Sequence, residues 1–138
     1  MASLVRRYWE FESIAGFDQP RIEGLLRHLL EEPARGACWV AETGGALQGY
    51  LLAVFMFSLE HGGLMAEIDE IFVSPEARSQ GMGAALLAWA ERDMTHRGLV
   101  RLQLQLGVGN HRAREFYERH GFGPRAGYEL FDKSLRAG

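Results

Sequence analysis

Apolar residues in this chain recur at two different spacings, which divide the sequence into helices and strands. Leu4, Tyr8 and Phe11 follow one another at helical intervals near the start. Leu102 and Leu104 alternate with glutamines, as in a strand that is buried on one face. In chain order, the pattern predicts helix 3–15 with Ser3 as N-cap, helix 18–32, strands 37–41, 47–59 and 67–73, helix 83–97, strand 102–106, helix 110–120 and strand 128–135.

The residues between these elements predict how the strands are connected. Gly44-Gly45 and Gly62-Gly63 are tight-turn pairs, so the first three strands form an antiparallel meander. Each later step from strand through helix to strand predicts a parallel crossover. We therefore expect an α/β (α+β) fold with a mixed sheet. Because no repeat, low-complexity tract or linker interrupts the pattern, residues 1–138 are interpreted as one domain.

Composition excludes several classes of protein. The chain has 138 residues, of which 47% are hydrophobic, and a net charge of -3, so neither disorder nor nucleic-acid binding through bulk charge is expected. The longest strongly apolar stretch, residues 50–59, falls short of the ~20 needed to cross a membrane. The start of the sequence lacks the pattern of a secretion signal. With one cysteine and no metal-ligand spacing among the histidines, we expect a cytoplasmic protein without a metal site.

A glycine-rich segment between the third strand and the third helix carries the first chemical signal. Gly81 and Gly83 are one residue apart, which lets the backbone approach a bound group at the positive end of a helix. Such a loop can bind phosphate. The Gly-Lys-Ser/Thr of a nucleotide P-loop is absent, and Leu86 stands where a dinucleotide fingerprint needs a small residue. A helix start with glycines for close packing remains the alternative.

Two motifs resemble those of the GNAT superfamily of N-acetyltransferases. Arg78-x-x-Gly81-x-Gly83 resembles its acetyl-coenzyme A pyrophosphate loop, and Asn110-x-x-Ala113-x-x-Phe116-Tyr117-Glu118-x-x-Gly121-Phe122 resembles its second conserved stretch. The motifs have the family's order and separation, and the resemblance covers residues 50–122. It implies a GNAT-like fold with splayed central strands and helices on both faces of the sheet, and acetyl-coenzyme A as co-substrate.

The resemblance also implies which residues bind the cofactor. Loop amides would hold the pyrophosphate, and the main chain of the third strand would pair with the pantetheine arm like an added strand. An amide of Ile71 or Val73 would receive the thioester carbonyl oxygen. The residues implied in cofactor binding are Ile71, Phe72, Val73, Arg78, Ser79, Gln80, Gly81, Met82, Gly83, Ala84, Asn110, Ala113 and Tyr117.

Acetyl transfer to an amine needs a base, and the third strand carries Glu67, Asp69 and Glu70. Strict alternation sends Glu67 and Asp69 to one face and Glu70 to the other, unless a bulge intervenes. Glu70 is our first candidate because it is nearest the cleft and because Asp69-Glu70 resembles the acidic pair of polyamine acetyltransferases. Glu67 is the second, since its separation from Arg78 matches the base of the histone acetyltransferase branch. A solvated strand face is the alternative.

Tyr117 resembles the family's general acid, which protonates the coenzyme A sulfur; the alternative is a core tyrosine. The expected activity is direct acetyl transfer to a primary amine, first a small cationic amine or polyamine and second a protein amino group. A non-catalytic acyl-coenzyme A binding or sensing module is the competing interpretation. Typical family members begin with a strand, whereas this chain begins almost directly in a helical pattern, so that strand is either absent or compressed into a few residues. If it is absent, strand 37–41 is an edge, which a homodimer could cover.

Overall fold

The computed structural model describes residues 1–12 and 14–136. These residues group into two compact units, Met1–Gln105 and the part that begins at Leu106. The elements are helix α1 Ala2–Phe11, helix α2 Gln19–Leu30, strands β1 Gly36–Thr43, β2 Ala46–Ser58 and β3 Gly63–Val73, a short 3-10 turn Pro75–Ala77, helix α3 Met82–His96, strand β4 Arg101–Leu104 and helix α4 His111–Arg119.

The four strands of the first unit form one mixed sheet in the order β1-β2-β3-β4. β1 and β2 are antiparallel, as are β2 and β3, whereas β3 and β4 are parallel. This confirms the predicted meander followed by a parallel crossover. β1 is an edge strand, because the structure described for residues 1–12 and 14–136 places only β2 beside it.

Helices cover both faces of the sheet. Leu4 and Val5 of α1 and Ile22 of α2 form a buried cluster with Tyr50 and Phe72 of the sheet. α3 covers the other face, on which the Trp39 indole of β1 donates a hydrogen bond to Asp93 at 3.1 Å. Apolar burial on both faces is the main stabilising contribution to this layered arrangement.

The two N-terminal helices differ in how their starts are determined. α2 begins as predicted, since the Asp18 carboxylate accepts a hydrogen bond from the Arg21 amide at 3.1 Å. α1 begins at Ala2 without a side-chain cap and ends at Phe11, so the prediction of Ser3 as N-cap is wrong. Burial of Leu4 in the core, rather than capping, positions this helix. Of the predicted stretch 3–15, Ser13 lies outside the described residues.

The second unit contains α4 and an extended C-terminal segment. The predicted strand 128–135 is wrong, because the described residues after α4 form no strand. Phe131 is 88% exposed and Leu135 is 94% exposed. The Tyr128 ring makes a cation–π contact with the Arg125 guanidinium, which lies 4.1 Å from the ring centre. A strand needs a neighbouring strand to accept its hydrogen bonds, and β-propensity alone does not supply one.

None of the helices described in residues 1–12 and 14–136 is long and apolar enough to cross a bilayer.

Candidate active site

A β-bulge interrupts β3 at Asp69. In the pairing with β2, Glu70 lies opposite Leu52 and Ile68 lies opposite Ala53, so Asp69 is an extra residue without a partner in the register. Its side chain is exposed. Although the residue is exposed, partial desolvation of its carboxyl group by surrounding protein atoms, together with the charge of the neighbouring Glu67, raises the pKa of Asp69 above its ordinary value.

The bulge brings two of the predicted acids to the same face of the sheet. Glu67 lies opposite Val54, and Glu70 lies opposite Leu52. Val54 and Leu52 are two residues apart on β2 and therefore point to the same side, as do their cross-strand partners. Strict alternation, which separates Glu67 from Glu70, is thus overturned by the inserted residue. Both carboxylates lie on the face that α1 and α2 cover.

Glu70 is held by two neutral donors from different elements. The Trp9 indole of α1 donates to one carboxylate oxygen at 2.8 Å, and the Tyr50 hydroxyl of β2 donates to the other at 2.7 Å. Burial raises the pKa of Glu70, the two hydrogen bonds oppose that rise, and the charge of Asp69 adds to it. Burial and the charge of Glu70 also raise the pKa of Tyr50, so its hydroxyl stays protonated and donates.

Aromatic side chains surround this carboxylate. The Tyr8 ring meets Phe72 edge-on at 5.7 Å between centroids, and Trp9 meets Phe17 at 6.0 Å. Burial and the charges of nearby carboxylates, Glu70 among them, raise the pKa of Tyr8 to about 12. The site therefore combines a desolvated acid with a wall of aromatic surface, which suits an organic cation.

Glu67 lies where β3 meets β4, and its partners are side-chain amides. One of its oxygens accepts a hydrogen bond from Gln103 at 2.9 Å, and Gln103 is its cross-strand neighbour. The Gln105 amide approaches both oxygens at 3.4 and 3.5 Å. Both partners are uncharged amides, and they hold the side chain in place at the end of β4.

β3 extends beyond its pairing with β4. Their parallel pairing ends at Ile68 and Leu104, while β3 continues to Val73. Within the part of the chain that the structure describes, no other strand pairs with the edge of β3 that this leaves. β4 itself ends where the pairing ends, so the splay that the resemblance implies stays a prediction.

Some amides of this part of β3 point away from β2, toward the unpaired edge of the strand. The Ser74 amide donates across to the Gln48 carbonyl of β2 at 2.7 Å. Because successive amides of a strand point in opposite directions, the N–H groups of Ile71 and Val73 point away from β2. The Val73 carbonyl accepts a hydrogen bond from Arg78 Nε at 3.0 Å. Donors from two alternate residues thus line the open side of the strand.

The predicted phosphate loop follows directly. Ser79 and Gly81 adopt positive φ angles of 71° and 73°, and both are exposed. The space beside Gly81 is open, since a Cβ atom there would meet nothing within 4 Å. Ala85 donates to the Gly81 carbonyl at 3.0 Å, so the amides of residues 82–84 precede the first hydrogen bond of α3. An exposed turn with outward amides at a helix N-terminus can bind an anion.

Arg78 and a salt bridge connect α1 to the start of this loop. The Arg78 guanidinium lies 4.7 Å from the centre of the Phe11 ring and 5.5 Å from that of Phe72. Arg7 contacts both oxygens of Glu76 at 2.8 and 3.0 Å, which lowers the pKa of Glu76 to about 2. The Arg78 side chain thus lies against the strand and α1, while its main chain belongs to the loop.

The remaining predicted residues belong to the second unit. Asn110 is the N-cap of α4, and its side-chain oxygen accepts a hydrogen bond from the Ala113 amide at 3.2 Å. Tyr117 is 6% exposed and packs edge-on against Phe116 and Phe122, with ring centroids 5.2 and 5.4 Å away. The motif residues therefore order the start of the helix and fix the orientation of the tyrosine ring.

In the part of the chain that the structure describes, residue types that bind metals do not cluster. Among the described residues, no group of three or more His, Cys, Asp or Glu side chains could hold a metal ion. Burial raises the pKa of Cys38 to about 11, so little of its thiol is in the nucleophilic thiolate form at neutral pH.

The sequence pattern does not reveal that Trp9 and Tyr50 donate hydrogen bonds to Glu70. Both residues stand in apolar patterns, where an aromatic ring signals core packing. The only available signal is that indole and phenol groups need a hydrogen-bond partner when they are buried.

Comparisons with known proteins show which family and which structures this chain resembles. The model of the acetyltransferase (GNAT) family matches residues 1–122. The aminoalkylphosphonate N-acetyltransferase of Salmonella typhimurium is 32% identical over 96 residues, which are 70% of this chain and 61% of that protein, so the chain spans less than two thirds of this relative. An uncharacterized N-acetyltransferase of Bacillus subtilis is 30% identical over 128 residues, 93% of this chain and 85% of that protein. An integron cassette protein from the Cole Harbour Salt Marsh metagenome has a solved structure with a TM-score of 0.83 and 28% identity, over 99% of this chain and 84% of that one.

Proposed function

This chain belongs to the acetyltransferase (GNAT) family, and from that premise we propose that it transfers the acetyl group of acetyl-coenzyme A directly to a primary amine. The observation that carries the proposal is the continuity of β3. One strand presents a desolvated carboxylate at Glu70, then outward amides at Ile71 and Val73, and then runs into the anion-binding loop. A base, an oxyanion donor and a phosphate site are thus arranged in sequence along one backbone.

The loop fits the pyrophosphate of acetyl-coenzyme A. Its exposed turn, its open space beside Gly81 and the amides of residues 82–84 provide donors without side chains in the way. The pantetheine arm would pair with the amides of Ile71 and Val73 as an added strand. When bound, acetyl-coenzyme A supplies the acetyl thioester on which the amine acts.

The reaction needs a base, a hydrogen-bond donor to the developing oxyanion and an acid for the departing thiolate. Glu70 takes a proton from the acceptor ammonium, and the neutral amine attacks the thioester carbonyl, forming the C–N bond. The amide of Ile71 or Val73 donates to the carbonyl oxygen as negative charge develops on it. The C–S bond then breaks, and Tyr117, in a role that rests on its motif, gives its proton to the departing thiolate. The nitrogen, which became positively charged on attack, loses its second proton to water, and water returns a proton to the Tyr117 phenolate, so the products are the neutral amide and the free thiol.

The charge of the site favours a small cationic acceptor. Glu67, Asp69 and Glu70 attract an ammonium group, and the aromatic wall of α1 provides apolar surface beside them. The name of the Salmonella relative indicates a small primary amine that also carries a phosphonate. We therefore propose a small amine or polyamine as acceptor, with a protein amino group as the second candidate.

Release of free coenzyme A across an amine panel tests this function. The panel contains spermidine, an alkyl monoamine, 2-aminoethylphosphonate and a lysine-containing peptide with a free N-terminus. Each is assayed with the native protein and with Glu70→Gln, Glu67→Gln and Tyr117→Phe. The matched controls are Glu42→Gln, which alters an exposed carboxylate on β1, and Tyr128→Phe, which removes an exposed hydroxyl.

We expect turnover with at least one small amine. Glu70→Gln should lower kcat by roughly 10²- to 10⁴-fold without loss of coenzyme A binding, because that is the usual contribution of a general base. The two controls should keep the native rate. Coenzyme A binding by calorimetry without turnover of any amine would favour the sensing module instead. A larger loss for Glu67→Gln than for Glu70→Gln would exchange the roles of the two acids.

A further inference from the structure

We propose that Trp9 and Tyr50 are positioning residues for the base, because together they fix the orientation of the Glu70 carboxylate through one hydrogen bond to each of its oxygens. This inference rests on the proposed function, in which Glu70 accepts the acceptor's proton. Trp9 and Tyr50 do not touch the reacting atoms and act only through Glu70.

The geometry of the two contacts carries the argument. Trp9 Nε1 lies 2.8 Å from one oxygen and the Tyr50 hydroxyl 2.7 Å from the other. A carboxylate that accepts at both oxygens cannot rotate about its last torsion without breaking a bond, which leaves the remaining lone pairs in fixed directions. Tyr50 is completely buried and Trp9 is half-buried, so water competes poorly for either bond.

Both donors are anchored by their own packing. Tyr50 lies opposite Phe72 in the register of β2 and β3, with ring centroids 6.4 Å apart. Trp9 packs edge-on against Phe17 and is carried by α1, whose Leu4 lies in the core. Rigidly held donors are the arrangement that keeps a catalytic group in its productive orientation.

Among the described residues, the groups that act on Glu70 include no cation that could stabilise its ionised form, so its pKa depends on the two hydrogen-bond donors. The groups that face it from the elements packed around it are Asp69 on β3, Tyr8 on α1, Tyr50 on β2 and Cys38 on β1. None of these is a cation, and Asp69 is an acid. The indole and phenol hydrogen bonds therefore stabilise the ionised form of Glu70, and removing either raises the pKa of this carboxylate.

The test compares the pH dependence of kcat/KM in Trp9→Phe and Tyr50→Phe with that of the native protein. Both variants keep an aromatic ring in place and remove one donor. Because kcat/KM reports the free enzyme, its acidic limb follows ionisation of the base. A hydrogen bond to a charged group is worth roughly one pK unit or more, so each variant should move that limb up by about one pH unit. All proteins are assayed with the same amine, so the ionisation of the amine affects every pH profile equally and does not alter the difference between them.

Trp39→Phe is the matched control, because it removes the indole bond to Asp93, another contact between an indole and a carboxylate in the same unit. It should leave the limb in place, even if it lowers the melting temperature. Above the shifted limb, Trp9→Phe should still lower kcat by roughly ten- to a hundredfold, since a base held less firmly is misaligned. The KM for acetyl-coenzyme A should stay unchanged.

A second readout separates this inference from the proposed function. Carbon NMR of labelled glutamate side chains follows ionisation of Glu70 directly, with the resonance assigned by its absence in Glu70→Gln. A raised pKa of Glu70 in both variants, and an unchanged one in Trp39→Phe, supports the positioning role without any measurement of turnover. If Glu70 has the same pKa in both variants as in the native protein, the positioning role is wrong. Full activity of Glu70→Gln refutes the base instead, whatever the titration shows.

Discussion

Gly49 lies where the end of β3, β2 and α3 meet, and replacing it by alanine tests how tightly they pack. A Cβ atom there would lie 2.9 Å from the Phe72 carbonyl oxygen and 3.3 Å from both Leu86 Cδ1 and Val73 Cγ2. The carbonyl belongs to a strand backbone and cannot rotate away. Overpacking of this kind costs about 1–3 kcal/mol, and we expect Gly49→Ala to lower the free energy of unfolding by that amount.

Gly24→Ala provides a matched control with the opposite sign. Gly24 is exposed in the interior of α2, and a Cβ atom there would meet nothing within 4 Å. Alanine is favoured over glycine in a helix interior by about 1 kcal/mol, so this variant should be more stable than the native protein. The same chemical change thus stabilises one site and destabilises the other, and only the surrounding space differs.

Urea unfolding followed by circular dichroism measures both variants against the native protein. The midpoint should fall for Gly49→Ala and rise for Gly24→Ala with similar slopes. Because Gly49 lies opposite Val73, coenzyme A binding by calorimetry should also weaken in Gly49→Ala and not in Gly24→Ala. If Gly49→Ala were as stable as the native protein while Gly24→Ala was stabilised, Gly49 could not lie as close to the Phe72 carbonyl as described.

Two further predictions concern Cys38 and the start of α2. With its pKa raised to about 11 by burial, the Cys38 thiol is ionised to only roughly one part in 10⁴ at pH 7. Iodoacetamide should therefore label it roughly a hundredfold more slowly than a free cysteine at pH 7; labelling at the free-cysteine rate would show that the thiol is accessible and not desolvated. Asp18→Ala removes the side-chain oxygen that accepts from the Arg21 amide, and should lower the free energy of unfolding by about 1 kcal/mol. Urea unfolding checks this against Asp18→Asn, which keeps an oxygen at that position and should retain most of the stability.

The sequence by itself determined the order of the elements from α1 to α4 and the position of the loop. Helical and strand spacings are local properties, so they can be seen without any knowledge of neighbours. Gly81 marks the turn because an L-residue with a side chain rarely adopts its positive φ of 73°. Asp18 marks the start of α2 because its carboxylate reaches an amide three residues ahead.

Only the tertiary structure decided which acids share a face and which segment becomes a strand. The bulge at Asp69 is visible only in the pairing of β3 with β2, and it places Glu70 on the face that Glu67 shares, against strict alternation. The segment 128–135 has strand-forming residues but no described strand beside it. Trp9 and Glu70 are 61 residues apart in the chain. Such contacts depend on how α1 packs across the sheet, and packing between distant elements leaves no periodic signature in either segment.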